Sequence, residues 1–357
     1  MSIRCVEVQT DPPYRVHVGR GALESVGSEQ LLDGGLFVLA DQKAWSLHGR
    51  ELRGLDSAPR LEIEGGEGAK TLDRLAQVLD AMAGAGLSRA STVITFGGGS
   101  IGDLGGLAAS VFKRGVKLVH CPTTLLAQVD ASVGGKTAVN LLQGKNLAGT
   151  IYQPRAVFAD PHTLSTLPAE ERASGLGEVL KTAVLGGETL LTSLETGVAD
   201  LLRFEPETTT ALVAACVETK ATIVSEDPLE QGPRRALNLG HTFAHAIEHC
   251  AGYGAVPHGI AVSVGLTLAL QASAATGLLE DPTLPRRVQR LQQALALPAT
   301  LSELSSAYDL DPAGLLVGLA HDKKGSVGQP EFVLVRRPGA AALGVVLDNE
   351  VLQSLLA

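Results

Sequence analysis

The sequence of 357 residues has few aromatic side chains, no paired cysteines and a negative net charge. Phe, Trp and Tyr make up 3% of it, and this composition indicates helix-rich packing of small residues without indicating a function. Its four cysteines contain no C-x-x-C pair, so neither a disulfide framework nor a thiolate zinc site is indicated. The net charge of −9 argues against the broad basic face that nucleic acids require. We expect a globular protein of a reducing cytoplasm with no nucleic-acid partner.

The sequence also lacks a clear export or membrane segment. Its first residues, MSIRCVEVQTDPP, contain no continuous apolar core of signal-peptide length, so we expect no export. The run from 260 to 279 has no charged residue and is long enough to span a bilayer. It contains Ser, Thr and Gln but few bulky apolar groups, which predicts a buried central helix. We therefore predict a cytoplasmic protein without a membrane partner.

The order of predicted elements indicates two domains. β-like runs alternate with helical patterns in the first part, which predicts a parallel sheet covered by helices. The β-like runs are 3–9, 14–18, 36–40, 60–63, 91–96 and 116–120, and the helical patterns are 43–53, 69–83 and 103–112. Later patterns are helical: 168–190, 206–226, 235–250, 258–277, 284–296 and 311–321. We expect an α/β domain over 1–166, a mostly α-helical domain over 167–357, and a ligand-binding cleft between them.

A glycine-rich motif follows the β-like run that ends at Phe96. Residues 97–102, GGGSIG, satisfy G-x-G-x-x-G before a predicted helix, a context in which backbone N–H groups bind a pyrophosphate. Such glycine motifs also occur in plain turns. A Rossmann fingerprint usually has an acidic ribose ligand about twenty residues downstream, but no acidic residue lies between Asp103 and Asp130. The fragment GGKT at 134–137 is not a P-loop, because Asp130 occupies the position of the first glycine. The pattern predicts a Rossmann-like nucleotide-binding domain of an unusual kind.

Two further features concern anion and ribose binding. The segment 103–155 contains six basic and two acidic residues, although the chain as a whole is acidic. This basic segment suits a small anionic ligand such as a phosphate ester, and a solvated helix face is the alternative. Asp41 ends the run 36–40, where it would either hold a ribose hydroxyl or cap the next helix, and the sequence favours neither interpretation.

The nine histidines allow several metal sites. Glu178 with His241 and His258 would form a carboxylate and imidazole set that leaves coordination positions open, as in catalytic zinc sites. His241 and His245, four residues apart, are the more obvious pair. Any of these histidines would also be compatible with a packed or exposed position without a metal. The residues alone leave these alternatives open.

Long motifs resemble those of the 3-dehydroquinate synthases, members of the sugar phosphate cyclase superfamily. The motifs are GGGSIGD, KRG, PTTLLAQVDASVGGKTAVN, GKN, YQP, GLGEVLK, ETKATIVSED, RRALNLGHTFAHAIEH, PHGIAVSVG and DKK. The resemblance covers most of the chain. It implies conversion of a small phosphorylated sugar acid, 3-deoxy-D-arabino-heptulosonate 7-phosphate, to 3-dehydroquinate and phosphate in the shikimate pathway. It also implies NAD, one divalent metal ion (Zn²⁺ or Co²⁺) and a homodimer.

The resemblance implies roles for individual residues. The metal ligands would be Glu178, His241 and His258. The NAD-binding residues would be Asp41, Gly65, Glu67, Lys70, Gly99, Ser100, Ile101, Gly102, Asp103, Thr123, Thr124, Lys136, Lys145, Thr163, Leu164, Ser165 and Thr166. The substrate-binding and catalytic residues would be Asp130, Lys136, Asn146, Lys181, Lys220, Arg234, Asn238, His245, Lys323 and Lys324, with Arg114 supplied by a dimer partner. The sequence departs from the family at Glu64-Gly65, where Pro-Asp is usual, so one ribose contact differs.

Three other functions share some of these features. Another sugar phosphate cyclase, such as a 2-deoxy-scyllo-inosose or valiolone-type synthase, would use the same cofactor and metal on a different sugar phosphate. A metal-dependent polyol dehydrogenase would share the glycine turn but release NADH. A nucleotide-sensing protein without catalytic activity is the third alternative, and the intact metal and anion sets argue against it.

Overall fold

The computed structural model describes residues 3–28, 34–252, 254–308, 310, 314–315, 318–319 and 330–356. The chain forms two compact units, Met1–Leu167 with Phe204–Leu229, and Pro168–Arg203 with Glu230–Ala357. The segment Phe204–Leu229, expected in the helical domain, instead packs with the first unit, because its helix contacts the outermost strand of the large sheet.

A seven-stranded sheet forms the centre of the first unit, in the order β1-β2-β9-β6-β5-β3-β4. The strands are β1 (Arg4–Val8), β2 (Tyr14–Val18), β3 (Leu36–Asp41), β4 (Arg60–Ile63), β5 (Thr92–Gly97), β6 (Lys117–Pro122) and β9 (Ala156–Ala159). β1 and β2 pair antiparallel, whereas the other neighbours pair parallel. β5 is buried throughout, as expected for a parallel strand covered on both faces. The six predicted strands are confirmed, and β9 was not predicted.

The first unit also contains four helices and a hairpin among its described residues. The helices are α1 (Gln42–His48), α2 (Leu72–Gly84), α3 (Gly99–Val111) and α6 (Pro206–Glu226). α3 begins four residues before its predicted start, so the second half of the glycine motif forms its first turn. The antiparallel hairpin of β7 (Lys136–Leu141) and β8 (Gly144–Ile151) was not predicted, and it packs against α3.

The second unit is mostly helical, as predicted. Its helices are α4 (Ala169–Leu185), α5 (Glu188–Leu202), α7 (His241–Ala251), α8 (His258–Ala275), α9 (Leu284–Ala294), α10 (Leu301–Ala307) and α11 (Asn349–Leu356). The pattern over 235–250 is divided, because a 3₁₀ turn, Pro233–Asn238, precedes α7. A hairpin of β10 (Glu331–Arg337) and β11 (Ala340–Val346) was not predicted. The predicted helix 311–321 lies mostly outside the described residues.

The apolar run that is long enough to cross a bilayer corresponds to α8. It is the one candidate span in the described part of the chain, and 72% of that stretch is buried inside the protein. It contacts α4, α7, α9 and β10 in the second unit. α8 is therefore the central helix of this unit, in agreement with the prediction.

Candidate active site

Two close contacts between glycines position the predicted metal ligands in the second unit. A side chain at Gly177 would overlap the backbone of Gly259, so α4 and α8 cross with their backbones in contact. A side chain at Gly265 would likewise overlap the carbonyl of Gly240, which precedes α7. Gly240 has φ 77°, a left-handed conformation that glycine adopts most readily. α8 is therefore held against α4 at one point and against the start of α7 at another.

This packing brings Glu178, His241 and His258 together. Each residue offers one ligand atom, and these atoms lie within 4.8 Å of one another. Oε1 of Glu178 lies 3.5 Å from Nε2 of His241 and 3.4 Å from Nε2 of His258. Ligands bonded to a tetrahedral zinc ion lie about 3.4 Å from one another. Both oxygens of Glu178 are buried, and within the described residues neither accepts a hydrogen bond of ordinary geometry. The donor set and its spacing fit a divalent metal ion.

The electrostatic environment of these residues also suits a cation. Burial alone would raise the pKa of Glu178, but Lys181 and the two imidazoles hold it well below its usual value. Burial and the nearby Lys181 lower the pKa of His241 well below the ordinary value. Burial opposes protonation of His258 as well, yet the carboxylates of Glu178 and Glu248 raise its pKa to about 10. Two buried carboxylates thus face one imidazole, and a divalent cation would balance this charge.

Three further side chains surround the set. The Nζ atom of the buried Lys181 lies 2.6 Å from Oε2 of Glu178, one helical turn away. The ring of His245 lies 5.7 Å from that of His241 and 6.3 Å from that of His258. The buried Glu248, which the sequence reasoning missed, has Oε2 at 3.4 Å from Nδ1 of His258. Its position seven residues after His241, on the same face of α7, is the signal that would have identified it.

The other predicted substrate residues lie in both units. In the first unit, Nζ of Lys220 donates to the backbone oxygen of Asp130 at 2.6 Å and to its Oδ1 at 2.7 Å. In the second unit, Arg234 is buried, and Nδ2 of Asn238 donates to Glu230 at 2.9 Å. Lys136 is exposed at the start of β7, and Arg114 is exposed with φ 64°. Lys323 and Lys324 lie outside the described residues.

A polar network lies beside the first turn of α3. Nζ of the buried Lys70 donates to Oδ2 of Asp103 at 2.7 Å and to Oδ1 of Asn146. Burial raises the pKa of Asp103, although Lys70 opposes this effect. The predicted substrate residue Asn146 therefore lies with two predicted NAD-binding residues. The adjacent Lys145 is half-buried in β8, and Ser100 accepts a hydrogen bond from the backbone of Gly66 at 3.1 Å.

Asp41 and Gly65 lie in contact at the carboxyl end of the sheet. Oδ1 of Asp41 accepts a hydrogen bond from the backbone of Ala44 at 2.7 Å, so Asp41 caps α1. A side chain at Gly65 would overlap Oδ2 of the same carboxylate. The replacement of the usual family aspartate by Gly65 therefore leaves room for the carboxylate of Asp41 in this position.

The remaining predicted NAD-binding residues occupy two turns. Thr123 is buried and Thr124 is half-buried after β6, where the methyl group of Thr124 approaches Gly98. The hydroxyl of Thr163 is buried and donates to the backbone of Asp160 at 2.9 Å, and Leu164 is fully buried. Ser165 and Thr166 are exposed. Of the four residues from 163 to 166, the last two are therefore the more exposed, although the hydroxyl of Thr166 lies 2.8 Å from Nε2 of His48.

Sequence comparison identifies the family. The 3-dehydroquinate synthase N-terminal family matches residues 60–174, and the 3-dehydroquinate synthase C-terminal family matches residues 175–325. The chain belongs to the 3-dehydroquinate synthase family. The 3-dehydroquinate synthase of Paracoccus denitrificans is 40% identical to it, and the match covers 100% of this chain and 99% of that relative. The resemblance found in the sequence motifs is confirmed.

Solved structures of similar enzymes share the fold of this chain over nearly its whole length. The 2-epi-5-epi-valiolone synthase of Streptomyces hygroscopicus, with NAD⁺ and Zn²⁺ bound, has a TM-score of 0.86 and 28% identity, covering 96% of this chain and 95% of that one. A 2-deoxy-scyllo-inosose synthase complexed with carbaglucose-6-phosphate, NAD⁺ and Co²⁺ has a TM-score of 0.85 and 25% identity, covering 99% of each chain. The predicted fold class is confirmed.

Proposed function

We propose that the chain converts 3-deoxy-D-arabino-heptulosonate 7-phosphate to 3-dehydroquinate and inorganic phosphate. The observation that carries this proposal is the set of Glu178, His241 and His258 beside the buried Lys181, in a chain that is 40% identical to a 3-dehydroquinate synthase. The proposed reaction belongs to the shikimate pathway of aromatic amino acid biosynthesis. Membership of the family in both matched segments favours this substrate over those of other sugar phosphate cyclases.

NAD and one divalent metal ion, Zn²⁺ or Co²⁺, are the cofactors in this proposal. When bound, NAD would supply a transient oxidation, by accepting a hydride from the substrate and returning it, and the metal ion would polarise substrate hydroxyl groups. Glu178, His241 and His258 would hold the metal ion. Asp41 would hold a ribose hydroxyl of NAD, and its charge would repel the 2′-phosphate of NADP. The first turn of α3 would bind the pyrophosphate through backbone N–H groups.

The protein's own contribution is mainly positioning and charge. Lys181 lies 2.6 Å from Glu178, so its ammonium group can donate to a substrate oxygen beside the ligand set. Lys220 donates two short hydrogen bonds to Asp130, which hold the two residues in a fixed position relative to each other. In this proposal both side chains would contact substrate hydroxyls. Arg234 offers a planar fork of N–H donors for an oxyanion. In this proposal the substrate's own phosphate takes the proton that leaves the carbon chain before phosphate is eliminated.

The proposal includes a cytoplasmic homodimer. The proposal of a dimer is supported by the resemblance of the KRG motif to the family, which implies that Arg114 would reach the active site of a partner. Arg114 is exposed, and it follows Lys113 in a left-handed backbone segment that turns the chain away from α3.

Product analysis with three substrates tests the proposed reaction. The enzyme with NAD, Zn²⁺ and 3-deoxy-D-arabino-heptulosonate 7-phosphate is expected to release phosphate and form 3-dehydroquinate without net NADH. Glucose 6-phosphate and sedoheptulose 7-phosphate are expected to give no product. Turnover of either sugar without turnover of the heptulosonate would assign the chain to another cyclase reaction, and stoichiometric NADH from a simple polyol would make it a dehydrogenase.

A further inference from the structure

A second group of metal-binding side chains lies in the first unit and shares no residue with the set described above. It consists of His48 at the end of α1, Glu51 in the 3₁₀ turn Gly49–Glu51, and His162 in the 3₁₀ turn Pro161–Thr166. Each residue offers one ligand atom, and these atoms lie within 4.8 Å of one another. We propose that His48, Glu51 and His162 form a second site for a divalent metal ion of the Zn²⁺ or Co²⁺ type.

His48 is oriented for metal binding by a hydrogen bond on the far side of its ring. The side chain is buried, and Nε2 lies 2.8 Å from the hydroxyl of Thr166. That hydroxyl donates its hydrogen to the backbone of Thr163 at 3.1 Å, so it accepts a hydrogen from Nε2 of His48. Nδ1 then faces Oε1 of Glu51 at 2.8 Å. Histidines that bind metals usually donate their other ring N–H to an oxygen acceptor such as a carboxylate, a backbone carbonyl or water, which fixes the ligand nitrogen. The hydroxyl of Thr166 would have this role for His48.

The spacing of the three side chains allows a metal ion to enter with a small adjustment. Nε2 of His162 lies 4.0 Å from Oε1 of Glu51, and the two imidazole rings are perpendicular with centroids 5.9 Å apart. The separations of 2.8 and 4.0 Å bracket the distance of about 3.4 Å between ligands of a tetrahedral zinc ion. The side chain of His162 is 45% exposed, so its ring can rotate toward the ion and solvent can reach the site.

The backbone that carries His162 is fixed by a neighbouring carboxylate. Oδ1 of Asp160 accepts a hydrogen bond from the backbone of His162 at 3.0 Å, and its Oδ2 accepts one from Gly21 at 2.7 Å. The three side chains therefore supply two nitrogens and one carboxylate, and the side of the cluster at His162 is open to solvent. This donor set is typical of Zn²⁺ and Co²⁺. A bound metal ion would take the place of the proton between Nδ1 of His48 and Oε1 of Glu51, and this proton would be released to solvent.

Cobalt titration of the protein, followed by its visible absorption, tests the second site separately from the first. In a His258→Ala background, which removes a ligand of the first site, we expect one Co²⁺ per chain. Adding Glu51→Gln or His162→Ala should reduce this to none at the same free metal concentration. Adding Glu24→Gln, a control at an exposed carboxylate that pairs with Arg53, should leave one Co²⁺ bound.

Thermal unfolding provides an independent measurement. Because a ligand that binds only the folded state stabilises it, Zn²⁺ should raise the Tm of His258→Ala but not that of His258→Ala with His162→Ala. Circular dichroism establishes that each variant folds, and anomalous diffraction from Co²⁺-soaked wild-type crystals locates the ion. Stoichiometry that is unaffected by both Glu51→Gln and His162→Ala, or no ion at this cluster in wild type, would overturn the proposal. Two ions bound to His258→Ala and one after His162→Ala would disprove the first-site assignment while supporting the second.

Discussion

Asn140 holds Asn146 in a left-handed backbone conformation: its Oδ1 accepts the backbone N–H of Asn146 at 2.9 Å, and Asn146 has φ 56°. Nδ2 of Asn140 donates to Oε1 of Glu67 at 2.7 Å, and its backbone N–H donates to the carbonyl of Lys70 at 2.8 Å. Asn140 thus joins the β7–β8 hairpin to Glu67 and Lys70, two of the proposed NAD-binding residues. It ends one of the family-like motifs, but it was not among the predicted site residues.

We expect Asn140→Ala to lower kcat/KM about tenfold, equivalent to about 1.4 kcal/mol, because it releases both Asn146 and Glu67. Steady-state kinetics and calorimetric titration with NAD measure this effect. Gln143→Ala, an exposed replacement at the turn of the same hairpin, is the matched control and should retain full activity. Unchanged kcat/KM in an Asn140→Ala enzyme that merely melts earlier would make Asn140 a structural residue only.

Introducing the usual family aspartate at Gly65 should weaken NAD binding. The new side chain would overlap Oδ2 of Asp41 and displace the carboxylate that caps α1, at a cost of about 1 kcal/mol for the cap alone. We expect Gly65→Asp to raise the Kd for NAD about tenfold, and Gly65→Ala to raise it less, since alanine adds the overlap without the charge. Calorimetry measures both variants. Equal or tighter NAD binding by Gly65→Asp would show that residue 65 can take over the ribose contact.

The sequence predicts the sheet of the first unit well because its strands are apolar runs bounded by polar residues. It misses the β7–β8 hairpin, whose first strand begins with Lys136 and contains Asn140, so no continuous apolar run marks it. The predicted metal ligands come from three helices, and their proximity depends on the contacts of Gly177 with Gly259 and of Gly240 with Gly265. Such contacts between distant segments have no periodic signal. The prediction of this ligand set therefore depends on family resemblance rather than on spacing.

The stability of the first unit should depend on pH through His120. Burial lowers the pKa of this histidine to about 4, and its Nδ1 lies 2.7 Å from the hydroxyl of Thr95. The unfolded chain takes up a proton near pH 6.5, whereas the folded protein does so only near pH 4, so the free energy of unfolding falls as the pH drops through this window. The expected loss is about 3 kcal/mol.

His120→Gln, which cannot titrate but keeps a polar partner for Thr95, tests this prediction. Urea unfolding between pH 4 and 6.5 should give a shallower loss of stability for this variant than for wild type. Gln143→Ala, an exposed replacement that leaves His120 in place, serves as the control and should follow wild type. Parallel pH profiles for wild type and His120→Gln would contradict the prediction.

Subunit complementation tests the proposed role of Arg114 in a partner's active site. Arg114→Ala and Lys181→Ala chains should each be nearly inactive as homodimers, because one lacks the donated guanidinium and the other lacks the ammonium group beside Glu178. In a mixed dimer, the site built on the Arg114→Ala chain keeps its own Lys181 and receives the intact Arg114 of the other chain. The second site lacks both groups.

One active site in each mixed dimer should therefore function. With random exchange of equal amounts of the two chains, half of the dimers are mixed, so we expect recovery of about a quarter of the wild-type activity per chain. Native mass spectrometry of the mixture verifies exchange. If the exchanged mixture remains as inactive as its parents, Arg114 acts within its own subunit or outside the site, and the exposed left-handed turn at Lys113 and Arg114 then requires another explanation.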